Sequence, residues 1–254
     1  MEYFVNHKSI VRKIWGSADV IMLIFAGASA EFALNKAVDW LYFTGRLPSD
    51  PLQRLFSTVS YAQAIVFSEK AAAHRAIDSM SAIHAEVESA RGRKIPEWAY
   101  RDVLFMLIDY SMRAYAILER KLTYQEEKEV FAVFRAVGQR MGITDLPNTF
   151  NEWVVIRQTH LMQNLLYSDF TTDLFAQYEK HLGTVRYHIL KQAHSLVAPQ
   201  YVRKLLQIRK QSLLKPLIPI YKLSRNVGLD HLLKKILLPK AYQKQINSLE
   251  TAAS

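Results

Sequence analysis

Apolar residues recur along most of the chain at the three- and four-residue spacing of helices, and no stretch alternates residue by residue as a half-buried strand would. Capping residues, prolines and glycines divide this pattern into separate elements. Helices are predicted within 3–15, from Ser17 to about Tyr42, Pro51 to Phe67, Ser68 to Ser89, Pro96 to Arg120, the capping box at Thr123 to Gly142, a turn at 145–149 through Tyr167, and Thr172 to Val197. The pattern therefore predicts an all-α fold.

The most apolar run of the chain, residues 20–34, is interrupted by Gly27, Ser29 and Glu31. It falls short of the roughly 20 apolar residues that a membrane span needs, so we expect a buried core helix. The N-terminus also lacks the basic and apolar stretches of a secretory signal. These features predict a cytoplasmic protein with no signal peptide and no transmembrane helix.

Composition removes several classes of chemistry. The 254 residues are 50% hydrophobic, which is enough for a sizeable core, and they include no cysteine. A disulfide framework, a thiolate metal site and a cysteine nucleophile are therefore excluded. The sequence also lacks a Walker loop, a Gly-x-Gly-x-x-Gly turn and a Gly-x-Ser-x-Gly nucleophile motif.

The net charge of +10 is concentrated at the C-terminus, where residues 199–254 hold 11 Lys and Arg but only 2 Asp and Glu. We predict a helical domain over 1–198 and a basic amphipathic helical extension over 199–254, cut by Pro216, Pro219, Gly228 and Pro239. The leucines of this tail could lie in an anionic membrane interface, or they could complete the core. Nucleic acid is not expected, because the tail has few stacking groups and no binding motif.

The predicted helix 51–67 has two contrasting faces. One carries Leu52, Leu55, Val59 and other apolar residues, while the other carries Arg54, Ser57, Thr58 and Tyr61 at helical spacing. A polar face is usually solvated. One arginine among three hydroxyls differs from the usual mixture of lysine and glutamate, however, and this composition also suits the wall of a pocket.

His84 falls on the apolar face of the next helix, in register with Ile77, Met80 and Val87. A lone histidine in this position is usually a hydrogen-bonded packing residue. A neutral imidazole on an apolar helix face is also how haem iron is commonly held, so His84 is a candidate metal ligand.

The remaining titratable residues give weaker signals. Glu31 lies in the apolar run and must be paired or protonated there, so it is either a candidate acid or base or the partner of an arginine. The other histidines form no His-Glu-x-x-His motif. His181 and His188 are seven residues apart and could share a face, which is an unspecific hint of a second metal site.

Several of these residues occur in an order that resembles a known family. Asp50-Pro51 precedes Arg54-Leu-Phe-Ser-Thr58, which is followed by Ile83-His84-Ala85-Glu86-Val87 and later by Leu122-Thr-Tyr-Gln-Glu126, Met141-Gly142 and Leu146-Pro147. Over roughly residues 10–165 this order resembles the MpaB and latex-clearing-protein family of haem-dependent oxygenases. The order and spacing of these short motifs, more than any one of them, carry the resemblance.

The resemblance implies a single multi-helix, globin-like domain that binds haem b. His84 matches the proximal iron ligand of the rubber-cleaving members, and Arg54 and Thr58 match residues on the oxygen-binding side. Those members have a lysine as sixth ligand where this chain has Ser57. The distal position is then expected to hold water or stand open, which argues against polymer cleavage. The family's catalytic glutamate has no clear match here; Glu31 and Asp39 are the alternatives.

Two functions follow from these observations. In the first, haem on His84, flanked by Met80, Ser57 and Thr58, reacts with dioxygen, and an apolar, isoprenoid-like substrate is oxidised or cleaved at a carbon–carbon double bond. Arg54, Thr58 and Glu31 are the candidate catalytic residues. In the second, the helical body has lost the haem and acts as a binding or membrane-adapter protein recruited through its basic tail.

Overall fold

Helices account for the regular secondary structure of the computed structural model, which describes residues 2–45 and 50–226, with the backbone alone for 51–55 and 226. The all-α prediction is confirmed. In chain order the helices are α1 (Ile10–Trp15), α2 (Ala18–Phe32), α3 (Asp39–Phe43), α4 (Pro51–Phe67), α5 (Lys70–Arg91), α6 (Glu97–Leu118), α7 (Tyr124–Arg140), α8 (Phe150–Asn164), α9 (Asp169–Leu182), α10 (Thr184–Val197), α11 (Gln200–Leu205) and α12 (Leu217–Asn226).

The capping residues predicted from the sequence act as N-caps in the structure. Ser17 accepts a hydrogen bond from the Val20 amide at the start of α2, and Thr149 accepts one from the Glu152 amide at the start of α8. Thr123 and Glu126 form the complete capping box before α7. Each cap satisfies an amide that the first helical turn leaves without a partner.

The centre of the molecule is the pair α2 and α6, around which α1, α7 and α10 pack. The predicted core helix at 20–34 is confirmed, because most of its side chains are buried. Gly27 allows the two central helices to approach closely: a Cβ added there would lie 2.2 Å from Cδ1 of Tyr110. No helix in the described part of the chain is long and apolar enough to cross a bilayer.

Two predicted helix bounds were wrong. The helix from Ser17 ends at Phe32, not at Tyr42, because the following residues pair with the end of α8: Leu166 N donates to Leu34 O at 2.8 Å, and Lys36 N donates to Asn164 O at 2.9 Å. The helix predicted from Thr172 to Val197 is divided at Gly183, whose φ of +75° and ψ of 159° belong to a region open essentially to glycine.

The beginning of the basic tail packs on the body, and Pro219 does not interrupt it. Val202 of α11 is buried with Leu34 and Leu161, so this part of the tail completes the core. Pro219 was predicted to break the tail but lies in the first turn of α12, where its missing N–H costs no helical hydrogen bond. Gly228 and Pro239 lie outside the described residues.

Candidate functional site

His84 lies on the inward face of α5, as its periodicity predicted. Ala73 and Ile77 of the same face are buried, while Met80, His84 and Val87 are partly buried. Ser79, Ile83 and Glu86 on the opposite face are exposed. The imidazole Nδ1 is buried, and the ring meets that of Tyr100 edge-on at 5.2 Å between centroids.

Beside His84 is a cavity of about 210 Å³ between α5, the start of α6 and the end of α7. Glu88, Tyr100 and Met141 contribute to its wall. Glu88 accepts hydrogen bonds from the Ile95 amide at 2.8 Å and from the Tyr100 hydroxyl at 3.0 Å. Burial, reinforced by the bond to Glu88, raises the pKa of Tyr100, so its phenol stays protonated and acts as a hydrogen-bond donor.

The residues predicted to face His84 are on the neighbouring helix. Helix α4 packs against α5 and carries Arg54 in its first turns, with Ser57 and Thr58, both partly buried, one turn later. The Arg54 side chain lies outside the described residues. Met80 packs with Ile65 of α4 and Val137 of α7. The fold thus places the helices of Arg54, Ser57, Thr58, Met80 and His84 side by side.

Glu31 is in a different part of the molecule. Both of its carboxylate oxygens accept hydrogen bonds from the Arg157 guanidinium at 2.6 Å, and the Tyr110 hydroxyl donates to Oε2 at 2.9 Å. Asp109 also accepts a bond from Arg157 at 3.1 Å. Burial alone would lower the pKa of Arg157, but the two carboxylates outweigh it and raise that pKa. The expectation that Glu31 is paired is met by an arginine.

A second buried polar cluster lies one to two helical turns from the first along the same helices. Asp102 is buried and accepts hydrogen bonds from the side-chain amides of Asn35 at 2.9 Å and Asn164 at 3.0 Å, and from Nδ1 of His160. These bonds join the end of α2 to α6 and α8. They position the segment that leads into α3 and Asp39.

Asp39, the other alternative for the catalytic glutamate, is joined to the helix of His84. Its Oδ2 accepts hydrogen bonds from Arg91 at 2.6 Å and from Arg93 at 3.0 Å. The Arg91 guanidinium also lies over the Trp40 ring, 4.2 Å from its centroid. Asp39 therefore binds a side chain of the helix that carries His84, whereas the described partners of the Glu31 carboxylate are on α6 and α8.

Sequence reasoning missed Arg157, Arg91 and Asp102. A signal existed for Arg157, since it lies four residues from both Trp153 and Leu161, which are buried, and so falls on the buried face of α8. Its pairing with Glu31 joins residues 126 positions apart, and no local pattern encodes that. Among the described residues, no three histidine or acidic side chains converge as a protein-only metal site would require, and His181 with His188 is no exception.

Comparison with known proteins identifies the family. The model of the catalytic domain of the ER-bound oxygenase mpaB/B' and rubber oxygenase matches residues 13–223. Comparison with curated proteins and with solved structures gave no significant match. The matched segment holds α2 to α11, the helices that carry His84, Thr58 and both buried polar clusters. The chain therefore belongs to the mpaB and rubber oxygenase family and carries an oxygenase catalytic domain over residues 13–223.

Proposed function

We propose that this oxygenase depends on haem b, with His84 as the iron ligand, and that it oxidises an apolar, isoprenoid-like substrate or cleaves it at a carbon–carbon double bond. The observation that carries the proposal is the packing of α5. This helix has 22 residues, yet only Ala73 and Ile77 are buried, both in its first half. The half that contains His84 shares its inward face with a cavity, as a helix that holds a cofactor would.

The cavity beside His84 could hold haem only together with adjoining space along α5. At about 210 Å³ the cavity is smaller than the roughly 300–1,000 Å³ of most ligand pockets. A macrocycle on His84 would therefore also occupy the region of Met80 and Val87, whose side chains are only partly buried. The donor set suits haem, because one neutral imidazole is enough to hold a porphyrin iron.

When bound, haem supplies an iron centre that reacts with dioxygen. His84 would hold it from α5. Arg54 and Thr58 on α4 would offer hydrogen bonds to dioxygen, the arginine with a full positive charge. A serine hydroxyl is a poor iron ligand, so Ser57 would not block the approach of a small apolar substrate.

Glu31 stays a prediction as a catalytic group. The hydrogen bonds of its carboxylate to described residues go to Arg157 and Tyr110, so the carboxylate would have to leave these partners before it could accept a proton from a substrate. Its present partners support a positioning role, in which the ion pair fixes α2, α6 and α8 relative to one another.

The test is reconstitution of the purified protein with hemin. Wild type should develop a Soret band that His84→Ala loses, while His74→Ala, a change on the same helix, should keep it. Arg54→Ala should bind haem like wild type but consume oxygen more slowly with an apolar alkene. A wild-type protein that takes up no hemin would refute haem dependence and favour the alternative, a helical binding or adapter protein.

We also propose that the tail meets an anionic membrane surface, from which an apolar substrate would be drawn. The support is the orientation of α12. Leu217, Ile220 and Leu223 on its outer face are 51%, 65% and 66% exposed. Its polar side turns inward: Lys222 donates to the Glu119 carbonyl at 2.9 Å, and Arg225 pairs with Glu119 and Asp19.

An amphipathic helix that packs by its polar side presents an apolar face ready for lipid. The other basic residues of the tail support lipid as the partner, since each basic residue near an anionic surface adds about 1 kcal/mol. Co-sedimentation with anionic vesicles should be lost in a variant with Leu217, Ile220 and Leu223 changed to serine. Changing Val155 and Val185, which are 68% and 76% exposed, to serine is the control. Binding that survives the tail substitutions would refute this surface, as would equal binding to neutral vesicles.

A further inference from the structure

Arg91, the last residue of α5, has one hydrogen-bond donor that no described residue pairs. Its side chain is 15% exposed, and its Nη2 is bound to Asp39. The guanidinium lies against the rings of Trp40 and Phe43. Its Nη1 is buried and has no hydrogen-bond partner within residues 2–45 and 50–226. Buried donors are almost always paired, and leaving one unpaired costs about 1–3 kcal/mol, so this donor points to an acceptor from outside the chain.

The position of Arg91 relates this donor to His84. Seven residues separate the two, which is two helical turns, so they lie on the same face of α5 with a separation of about 10 Å along the axis. Side chains on a helix lean toward its N-terminus, so a residue at this position covers the turn that precedes it, on the side of His84. A group held by His84 would extend along the face that Arg91 borders.

The ion pairs of Arg91 leave one positive charge that is not neutralised by its own partners. Asp39 is shared by Arg91 and Arg93, so the three side chains together keep one positive charge. Glu88 lies between His84 and Arg91 in sequence, but its carboxylate is bound to the Ile95 amide and the Tyr100 hydroxyl. With Nη2 fixed by Asp39 and the guanidinium plane fixed by Trp40, Nη1 is held ready for one more acceptor.

We propose that Arg91 binds a carboxylate of the cofactor that His84 holds, namely a propionate of haem. This inference rests on the haem dependence proposed above. Haem is apolar over its faces and carries two carboxylates at one edge, so a site needs an apolar face and a cation at its border. Helix α5 provides both on the face that carries His84 and Arg91. Asp39 and Trp40 are then positioning residues that set the direction of the guanidinium.

The experiment compares hemin with hemin dimethyl ester, which keeps the iron and the macrocycle but lacks the carboxylate charges. Both ligands are titrated into the full-length protein and followed by the Soret band. Arg91→Gln should weaken hemin binding about tenfold, which corresponds to the loss of one charge-assisted hydrogen bond. It should leave the affinity for the ester within about twofold. Arg93→Gln is the control, since Arg93 binds the same Asp39 from a side chain that is 57% exposed, and it should leave both affinities near wild type.

The ratio of the affinities for hemin and for the ester keeps the test valid if Arg91→Gln is less stable, because loss of folded protein weakens the binding of both ligands equally. Arg91→Lys, which restores the charge without the planar fork, should recover part of the preference for hemin. Equal losses for hemin and ester would show that Arg91 only supports the helix and would overturn the inference, as would a variant that binds hemin like wild type. If wild type binds neither ligand, haem dependence itself fails, and that result is distinct from the other two.

Discussion

The buried ion pair of Glu31 and Arg157 gives the most quantitative prediction of the structure. Arg157→Met keeps much of the side-chain volume but removes the cation. Glu31 and Arg157 are 1% and 3% exposed, so the change leaves a buried carboxylate with only the Tyr110 hydroxyl as a donor. Removing one partner of a buried pair typically costs about 3–5 kcal/mol, and we expect a loss of this size in the free energy of unfolding.

Asp109 contributes less to this loss, because Arg113 still pairs with it at 2.5 Å.

Urea unfolding of wild type and variants is the measurement. Arg140→Met is the matched control, because Arg140 makes the same two-bond contact to Asp78, at 2.8 and 2.7 Å, on the surface. It should leave the free energy of unfolding close to wild type. Combining Arg157→Met with Glu31→Leu should recover part of the loss, since no unpaired charge remains. A deficit no larger than that of Arg140→Met would refute the reasoning.

Three further changes test the packing. Gly27→Ala should destabilise by about 1–3 kcal/mol in urea unfolding, because the new Cβ would lie 2.2 Å from Tyr110 and force α2 from α6; unchanged stability would contradict this close approach. Gly183→Ala should cost about 1–3 kcal/mol through backbone strain alone, since no atom lies within 4 Å of the added Cβ, and an unchanged thermal midpoint would argue against the assigned conformation. Burial lowers the pKa of His194 to about 3 in the fold, so from about pH 6.5 downward it should remove about 1.4 kcal/mol of stability per pH unit; His194→Phe should flatten this slope, and a variant with the wild-type slope would exclude His194 as its source.

Local signals in the sequence predicted the elements well. Pro51 and Phe67 bound α4 as expected, the box at Thr123 starts α7, and the run around Ile24 forms the core helix. The errors came from long-range contacts. Helix α2 ends early because Leu34 and Lys36 form hydrogen bonds with the end of α8. The division at Gly183 depends on the conformation of one glycine, which the neighbouring residues in the sequence do not predict.

For the candidate site, too, local sequence patterns predicted some features and long-range contacts decided the others. The spacing of Ile77, Met80 and His84 placed the histidine on the inward face of its helix, and a family match over 13–223 agrees with the resemblance in the sequence. The sequence predicted that an arginine could pair with Glu31, but not which arginine. The sequence also did not predict the orientation of α12. A helix with leucines on one face and lysines on the other can pack on the body by either face.

The sequence by itself determined the helices, their caps and the inward face of α5, because each depends on residues close together along the chain. It also determined the family, through the order of short motifs along the chain. Only the tertiary structure decided the pairing of Glu31 with Arg157, the contact of Asp39 with Arg91, the cavity beside His84 and the outward leucines of α12. The physical reason is that periodicity specifies which side of a helix is buried, whereas the group it is buried against is set by the packing of all helices at once.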